Sequence, residues 1–419
     1  MTDQKRENLL NLALAATEVE RRRVPELSAG YNSYSKTWEV IVQYQGDLAF
    51  LEGQGVRVTL LLFSYAILLV PESLMDYVTG LPQITYLEKP KLLYFADAFV
   101  RSISCITPVQ EGVMGLSGNG VLLACIDSGV DYAHPDFCAP DGTSRIAILW
   151  DQTIPGNPPM GYALGSVYTR QQINEALASS TPEERFALVP SRDVTGHGTA
   201  VLGIAAGNGR SSAYAAMRGV APEATLVVVK LGNPDPADLP RTSQLLQAVD
   251  FCVRYALLVE RPLVINLSFG NNYGSHSGDS LLETYLNAVS NLGQNVICIG
   301  AGNEGDTGRH YAGNLKSDRK SSGQTQTVRA TSDPAATSAV SATADRAVSV
   351  EFQVGAYESS FSLQIWKVYG DEISIELISP GGIRSGTLSP VLGTARLTLG
   401  PTELLLFYGM PSPYSQAQE

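Results

Sequence analysis

Basic clusters are scarce in this sequence. Twenty-nine lysines and arginines stand against 41 aspartates and glutamates, a formal net charge of -12, and the one dense basic run is Arg21–Arg23 behind Glu20. A surface that tracks phosphates needs a basic stripe, so nucleic acid is not an expected partner. Cysteine is scarce too: Cys105, Cys125, Cys138, Cys252 and Cys298 are odd in number and never spaced as CxxC. That spacing argues against a zinc site or a disulfide framework and for small buried apolar residues in a reduced, non-secreted setting. Long apolar runs are missing as well. The most apolar stretch, 56–71, is broken by Arg57, Ser64 and Tyr65 and falls short of the roughly 20 residues of a spanning helix, so no membrane segment is expected. Residues 1–23 lack the apolar core of a signal peptide and read instead as one amphipathic helix.

What is present is ample apolar material. A hydrophobic fraction of 44% with 17% charged residues describes a globular chain, and 419 residues exceed one ordinary core. Three textures follow one another. Residues 1–97 combine the opening helix with extended segments at 38–44 and 56–70, a short helical stretch from Ser73 and the strand-like ITYLEKP, then run into a linker, KLLYFADAFVRSIS. Residues 98–322 alternate short apolar strands such as VLLACI, TLVVVK, LVINLSF and VICIGAG with helix-length amphipathic segments, the pattern of a parallel sheet covered on both faces. Residues 323–419 turn to Ser, Thr, Gly and Gln and then to alternating strands separated by turns such as SPGGIRSG, which reads as part of an antiparallel sandwich.

Three polar residues stand at the ends of the apolar strands or at a helix start. Asp127 follows VLLACI directly, and a carboxylate at the carboxyl end of a central parallel strand is costly to bury unless something uses it. A turn or capping aspartate is the plainer alternative for CIDSGVD alone. His197 lies in TGHGTAVLGIAAG, where flanking glycines free the imidazole and a helix begins at once; a lone histidine there is more often structural, but an ionised carboxylate that orients its other nitrogen is what a general base needs. Asn303, in VICIGAGNEG, offers a side-chain amide that can donate to a developing oxyanion, or simply makes a turn.

In this order within one α/β region, DSG, GHGT and GAGNEG together resemble the subtilisin-like serine protease family, whose triad runs aspartate, histidine, serine. The resemblance implies a subtilisin-like parallel sheet flanked by helices, an Asp127–His197 pair, Asn303 at the oxyanion, and Ser268, Phe269 and Gly270 of VINLSFG bordering the residue that precedes the scissile bond. More narrowly the chain resembles clostridial subtilases of the spore-germination type, which implies an N-terminal α+β prodomain over 1–97, an incomplete catalytic domain over 98–322 and the first part of an inserted jelly-roll-like β-sandwich over 323–419. It also implies a protein or peptide substrate, the chain's own prodomain in the cleft with processing between Leu92 and Ser102, and a cytoplasmic or spore-associated location. Ala200 stands where many subtilisins carry a second histidine, which is not a triad member.

The family places its nucleophile in GTS at a helix start downstream of the asparagine, and no such segment follows Asn303. The GTS at 142–144 precedes His197 and runs into the strand-like RIAILWDQ, so Ser144 is not expected to be the nucleophile. The expectation is a serine endopeptidase whose serine lies outside this chain, a fragment inactive by itself; the alternative is a catalytically dead pseudoprotease that binds a peptide or protein partner. No cofactor is expected, and of metals only calcium, which the family resemblance implies, stays open, with the carbonyls of GNGRSS as its donors. His134, Asp136 and His310 are scattered as turn and capping residues are, and the calcium common in subtilisins finds few carboxylates in the loop GNGRSS at 207–212.

Overall fold

The computed structural model describes residues 4–92, 94–95, 106–111, 113, 115–211, 218–233, 239–305, 308–313, 329–331, 342–343, 347–355, 358–388, 391–410, 413 and 417–418. Both expected domain boundaries, 97/98 and 322/323, fall outside these residues, as does most of the expected processing interval.

The opening segment, expected as one amphipathic helix, is three short ones: α1 (Asn8–Ala15), α2 (Glu18–Arg23) and α3 (Pro25–Ser28). The break is local. Thr17 Oγ1 accepts the Glu20 N–H at 3.3 Å while Glu20 Oε2 accepts the Thr17 N–H at 2.6 Å, a reciprocal cap that starts a new helix in mid-pattern. There follow β1 (Tyr31–Asn32), β2 (Thr37–Tyr44), β3 (Arg57–Leu60), β4 (Tyr65–Pro71), α4 (Met75–Gly80) and β5 (Ile84–Glu88). They form an antiparallel sheet in the order β1-β2-β4-β3, with β5 also on β2. Alternation divides its side chains. Trp38, Val40, Val42, Ala66, Leu68 and Val70 pack with Leu9, Leu10 and Ala13 of α1, whereas Ile41, Tyr65, Ile67 and Tyr86 join a different core.

That second core belongs to the next domain. Past β6 (Tyr94–Phe95) and α5 (Ile106–Glu111) come β7 (Leu122–Asp127), β8 (Ile146–Asp151), β9 (Ser166–Thr169), α6 (Arg170–Leu177), α7 (Pro182–Leu188), α8 (His197–Ala206) and β10 (Thr225–Lys230). The series closes with α9 (Thr242–Leu258), β11 (Leu263–Leu267), β12 (Phe269–Gly270), α10 (Leu281–Ser290) and β13 (Asn295–Ile299). Six strands make one sheet in the order β13-β11-β7-β10-β8-β9, parallel except for β9. Central β7 is buried along its whole length. Leu122, Ala124 and Ile126 belong to the core built with α9 and α10, and Ile41 and Tyr65 of the N-terminal sheet join that core as β2 packs on the same two helices. Leu123 and Cys125 face Leu202 and Ala206 of α8. Each such side chain contributes about 1.5–3 kcal/mol, so the N-terminal sheet is held by its outer face as well as by its own core. Cys125, Cys138 and Cys252 are buried as expected, but Cys298 is exposed on β13, which has a strand on one side only among the described residues; Cys105 lies outside them.

After Gly300 the chain enters a separate compact unit, 301–363, whereas 364–419 cluster with residues 1–300. Within 301–363 the described strands are Arg329–Thr331, parallel to Glu351–Gln353, and Ala342–Thr343, antiparallel to Ala347–Val348. In the larger unit Gly393–Leu399 and Thr402–Tyr408 form a hairpin, and Leu405 packs against the core under α1. Arg396 reaches Glu20 through Nε and Nη2, both at 3.1 Å.

Candidate active site

The two catalytic-type side chains converge because a strand end and a helix start meet. Asp127 closes β7 with its side chain 1% exposed, and His197 is the first residue of α8. Gly196 holds a left-handed φ of 77° to turn the chain into that helix. A Cβ on Gly198 would lie 2.2 Å from the Gly129 carbonyl and 3.1 Å from Asp127, so only glycine lets α8 come this close to β7. The result is a contact of 2.6 Å between His197 Nδ1 and Asp127 Oδ1. Asp127 Oδ1 also accepts the Ser128 N–H at 2.7 Å, and Oδ2 is buried without a donor among the described residues. Burial pushes the Asp127 carboxyl above the ordinary carboxylate range, against the pull of the His197 and Ser128 hydrogen bonds. An ionised Asp127 can only accept, so the shared proton belongs to Nδ1 and the imidazole is left to act as a base through Nε2.

Phe269 and Gly270 form β12, and the chain leading out of the N-terminal domain lies along it. Gly270 pairs with Tyr94 and Phe269 with Phe95, antiparallel. Upstream, Lys91 N–H donates to Thr242 Oγ1 and Thr242 N–H to the Lys91 carbonyl, each at 2.8 Å, which seats that chain on the first turn of α9. Ser268 Oγ accepts from Asn266 Nδ2 at 2.8 Å. Asn303 is exposed and belongs to the unit 301–363, where Arg309 and Glu304 pair at 2.8 Å.

Other candidates have ordinary work. Ser144 is buried, its Oγ accepting the Ile146 N–H at 3.0 Å. His134 Nδ1 accepts the Asp136 N–H at 3.3 Å, and Asp136 Oδ1 accepts the Ser211 N–H at 2.7 Å. Beside them Arg210 donates to the Cys138 and Ala139 carbonyls. No group of three or more His, Cys, Asp or Glu suited to a metal occurs among the described residues.

Sequence reasoning missed the carboxylates that join the domains. Glu88 Oε1 accepts the N–H of Leu281, the first residue of α10, at 2.8 Å. Its burial pushes its pKa up while Lys91 pulls it down. Asp250, fully buried on α9, accepts the Leu62 N–H at 2.9 Å, Tyr285 Oη–H at 2.8 Å, Tyr162 Oη–H at 2.7 Å and Arg254 Nε–H at 2.7 Å. An aspartate inside the apolar helix QLLQAVDFCV was the available signal, since such a charge needs partners. Asp193, four residues before His197, was missed as well.

Known proteins resemble this chain over both its N-terminal and its α/β regions. Residues 4–91 match the family described as Csp protease B prodomain, and residues 118–402 match the Subtilase family. The solved structure of the Clostridium perfringens CspB protease is similar with a TM-score of 0.59 at 28% identity, covering 76% of this chain and 57% of that one. The major intracellular serine protease of Bacillus subtilis is 30% identical over 205 residues, 49% of each chain. Subtilisin E of Bacillus subtilis is 26% identical over 228 residues, 54% of this chain and 46% of its own. The chain thus spans about half the length of the curated relatives it matches. Among the described residues no helix is long and apolar enough to cross a membrane. With the subtilase match running over more than half of its length and a Csp-type prodomain match ahead of it, this chain belongs to the subtilase family of serine proteases.

Proposed function

We propose that the chain supplies the acid–base half of a serine endopeptidase, with Asp127 orienting His197 and the nucleophilic serine lying outside these 419 residues. The 2.6 Å contact between His197 Nδ1 and Asp127 Oδ1 carries this reading. His197 Nε2 takes the proton of a serine hydroxyl as its oxygen bonds to the scissile carbonyl carbon. It returns that proton to the leaving amine when the C–N bond breaks, and water then repeats the cycle on the acyl-enzyme. Asn303 donates to the oxyanion, and Ser268, Phe269 and Gly270 border the peptide. The substrate is a protein or peptide chain.

Two further observations support the reading. No described residue after Ser290 is helical, so the glycine-flanked helix start that presents a nucleophile is not found beyond Asn303 among the described residues. The pairing of Tyr94–Phe95 with Phe269–Gly270 is how a substrate strand would add to the site, so the N-terminal domain acts as a prodomain in its own cleft, cut between Leu92 and Ser102. A fluorophosphonate probe, which labels only activated serines, tests the assignment on this chain and on a longer product of its gene. Labelling is expected in the longer form alone and is lost with His197→Ala. Labelling of the 419-residue chain that His197→Ala abolishes would overturn it.

A further inference from the structure

The loop that delivers His197 contains one carboxylate, and all of its bonding capacity is committed around the Asp127–His197 pair. Asp193 Oδ1 accepts Ser128 Oγ–H at 2.8 Å, Gly196 N–H at 3.0 Å and Thr195 Oγ1–H at 3.2 Å. Its Oδ2 accepts Thr199 N–H at 2.8 Å and Thr199 Oγ1–H at 2.6 Å. These donors come from two elements: Ser128 is the turn residue after β7, and the others belong to the loop and first turn of α8. Ser128 is itself doubly tied. Its N–H donates to Asp127 Oδ1 at 2.7 Å, and its Oγ accepts the Gly198 N–H at 2.9 Å. Thr199 Oγ1 in turn accepts the Asp131 N–H at 2.9 Å, stitching the far side of the same turn to the helix. Asp127, Ser128, Asp193, the start of α8 and His197 thus form a closed ring of hydrogen bonds.

A helix cap alone would need only Thr199 and Gly196. The bond from Ser128 is different in kind, because it joins the strand that carries the aspartate to the helix that carries the histidine. It works beside the Gly198 N–H to Ser128 Oγ and Asp131 N–H to Thr199 Oγ1 bonds and the close glycine approach at Gly198, and it ties the first of these to the loop before His197. Burial raises the Asp193 carboxyl, and the bonds from Thr199, Ser128 and Gly196 more than offset that, leaving it below the ordinary carboxylate range and ionised as a five-fold acceptor must be.

We propose that Asp193 is a positioning residue, locking the β7 turn to the start of α8 through Ser128 and Thr199 so that His197 Nδ1 stays in line with Asp127. The proposal rests on the reading of that pair as orienting acid and base. It touches no reacting atom and acts only through the pair. If Asp193 were a cap for α8 and nothing more, breaking its bond to Ser128 would leave the imidazole unmoved.

The test is made on the 419-residue chain by proton NMR of the His197 Nδ1 proton, identified among the four histidines by its loss in His197→Ala. Asp193→Ala is expected to speed exchange of that proton with water by about tenfold, the weight of losing hydrogen bonds to a charged group. Ser128→Ala removes no charge and keeps the Thr199 and Gly196 bonds to Asp193, losing the acceptor of the Gly198 N–H as well, and it is expected to move the exchange in the same direction. Asp193→Asn, which keeps one acceptor oxygen, is expected to fall between wild type and alanine. Unchanged backbone-amide protection in β7 shows that each variant folds; should Asp193→Ala fail this, Ser128→Ala and Asp193→Asn decide. Exchange within about twofold of wild type in both of those folded variants would overturn the proposal. A complete enzyme that keeps its turnover with His197→Ala would overturn the catalytic reading beneath it, a failure that proton exchange tells apart.

Discussion

At one edge of the six-stranded sheet β9 lies antiparallel on β8, and Leu149, Trp150 and Asp151 are fully buried; at the other, Val296 and Ile299 of β13 are 55% and 59% exposed. The strands are alike in sequence, AILWD against VICIG, both short apolar runs. What separates them is supply of neighbours. The β8 edge receives a strand and a cover from Tyr162 and Phe251, whose rings lie 5.0 and 5.1 Å from Trp150, while among the described residues β13 bonds β11 alone. An apolar edge left open is a template for another strand. Apolar pattern reports what a strand is built for, and burial reports what it has been given.

The comparison is most strongly tested where the interior holds a charge. Asp250 serves four donors from α9, α10, the β9-side loop and the N-terminal domain, so Asp250→Ala strands the Tyr162 and Tyr285 hydroxyls and the Leu62 N–H, while half-exposed Arg254 turns to water. It is expected to destabilise the chain by about 3–5 kcal/mol in denaturant titration, the cost of breaking a buried network. A loss under about 1 kcal/mol would mean that the domains are held by apolar contact alone.

The two edges are compared directly by truncating one residue on each. Leu149→Ala on β8 removes a fully buried side chain and is expected to cost about 2–5 kcal/mol. Val296→Ala on β13 is expected to stay within about 0.5 kcal/mol of wild type. Equal losses would show that β13 is covered in solution.

Much of this arrangement was legible in the sequence. The strands around Asp127, the helix beginning at His197 and the N-terminal strands all follow from apolar period and glycine placement, since those signals are local. Thr17 was not read as a break because a reciprocal cap competes with periodicity and leaves the pattern unchanged on either side. Cys298 could not be read as exposed, because an edge strand differs from a central one only in its neighbours. Glu88 and Asp250 were missed for the same reason: each answers a backbone N–H almost two hundred residues away. At the site, DSG and GHGT flagged their residues, yet nothing in either motif announced that Asp193 would bridge them.

The smallest effect is expected where the C-terminal hairpin meets α2. Hydrogen bonds from Arg396, with the Thr17 N–H beside them, hold the Glu20 carboxyl at about 2 against an ordinary 4.5. A folded-state pKa below the unfolded value means the stabilisation is complete above about 4.5 and is lost as pH falls toward 2. Glu20 is largely solvent-exposed, so screening keeps the effect modest, about threefold or less in the opening equilibrium of the hairpin. Normalised hydrogen-exchange protection of the amides at 404–407 should therefore fall across that window relative to the amides of buried β7. Glu20→Gln isolates the charge, because glutamine at this position can still accept from Thr17 and keep the cap. The variant should show the low-acid protection at every pH. If its hairpin amides follow the wild-type pH profile instead, the ion pair to Arg396 does not hold the hairpin, and Leu405 in the core under α1, the Arg396 bond to the Ala15 carbonyl and the Arg23–Glu403 pair do so without it.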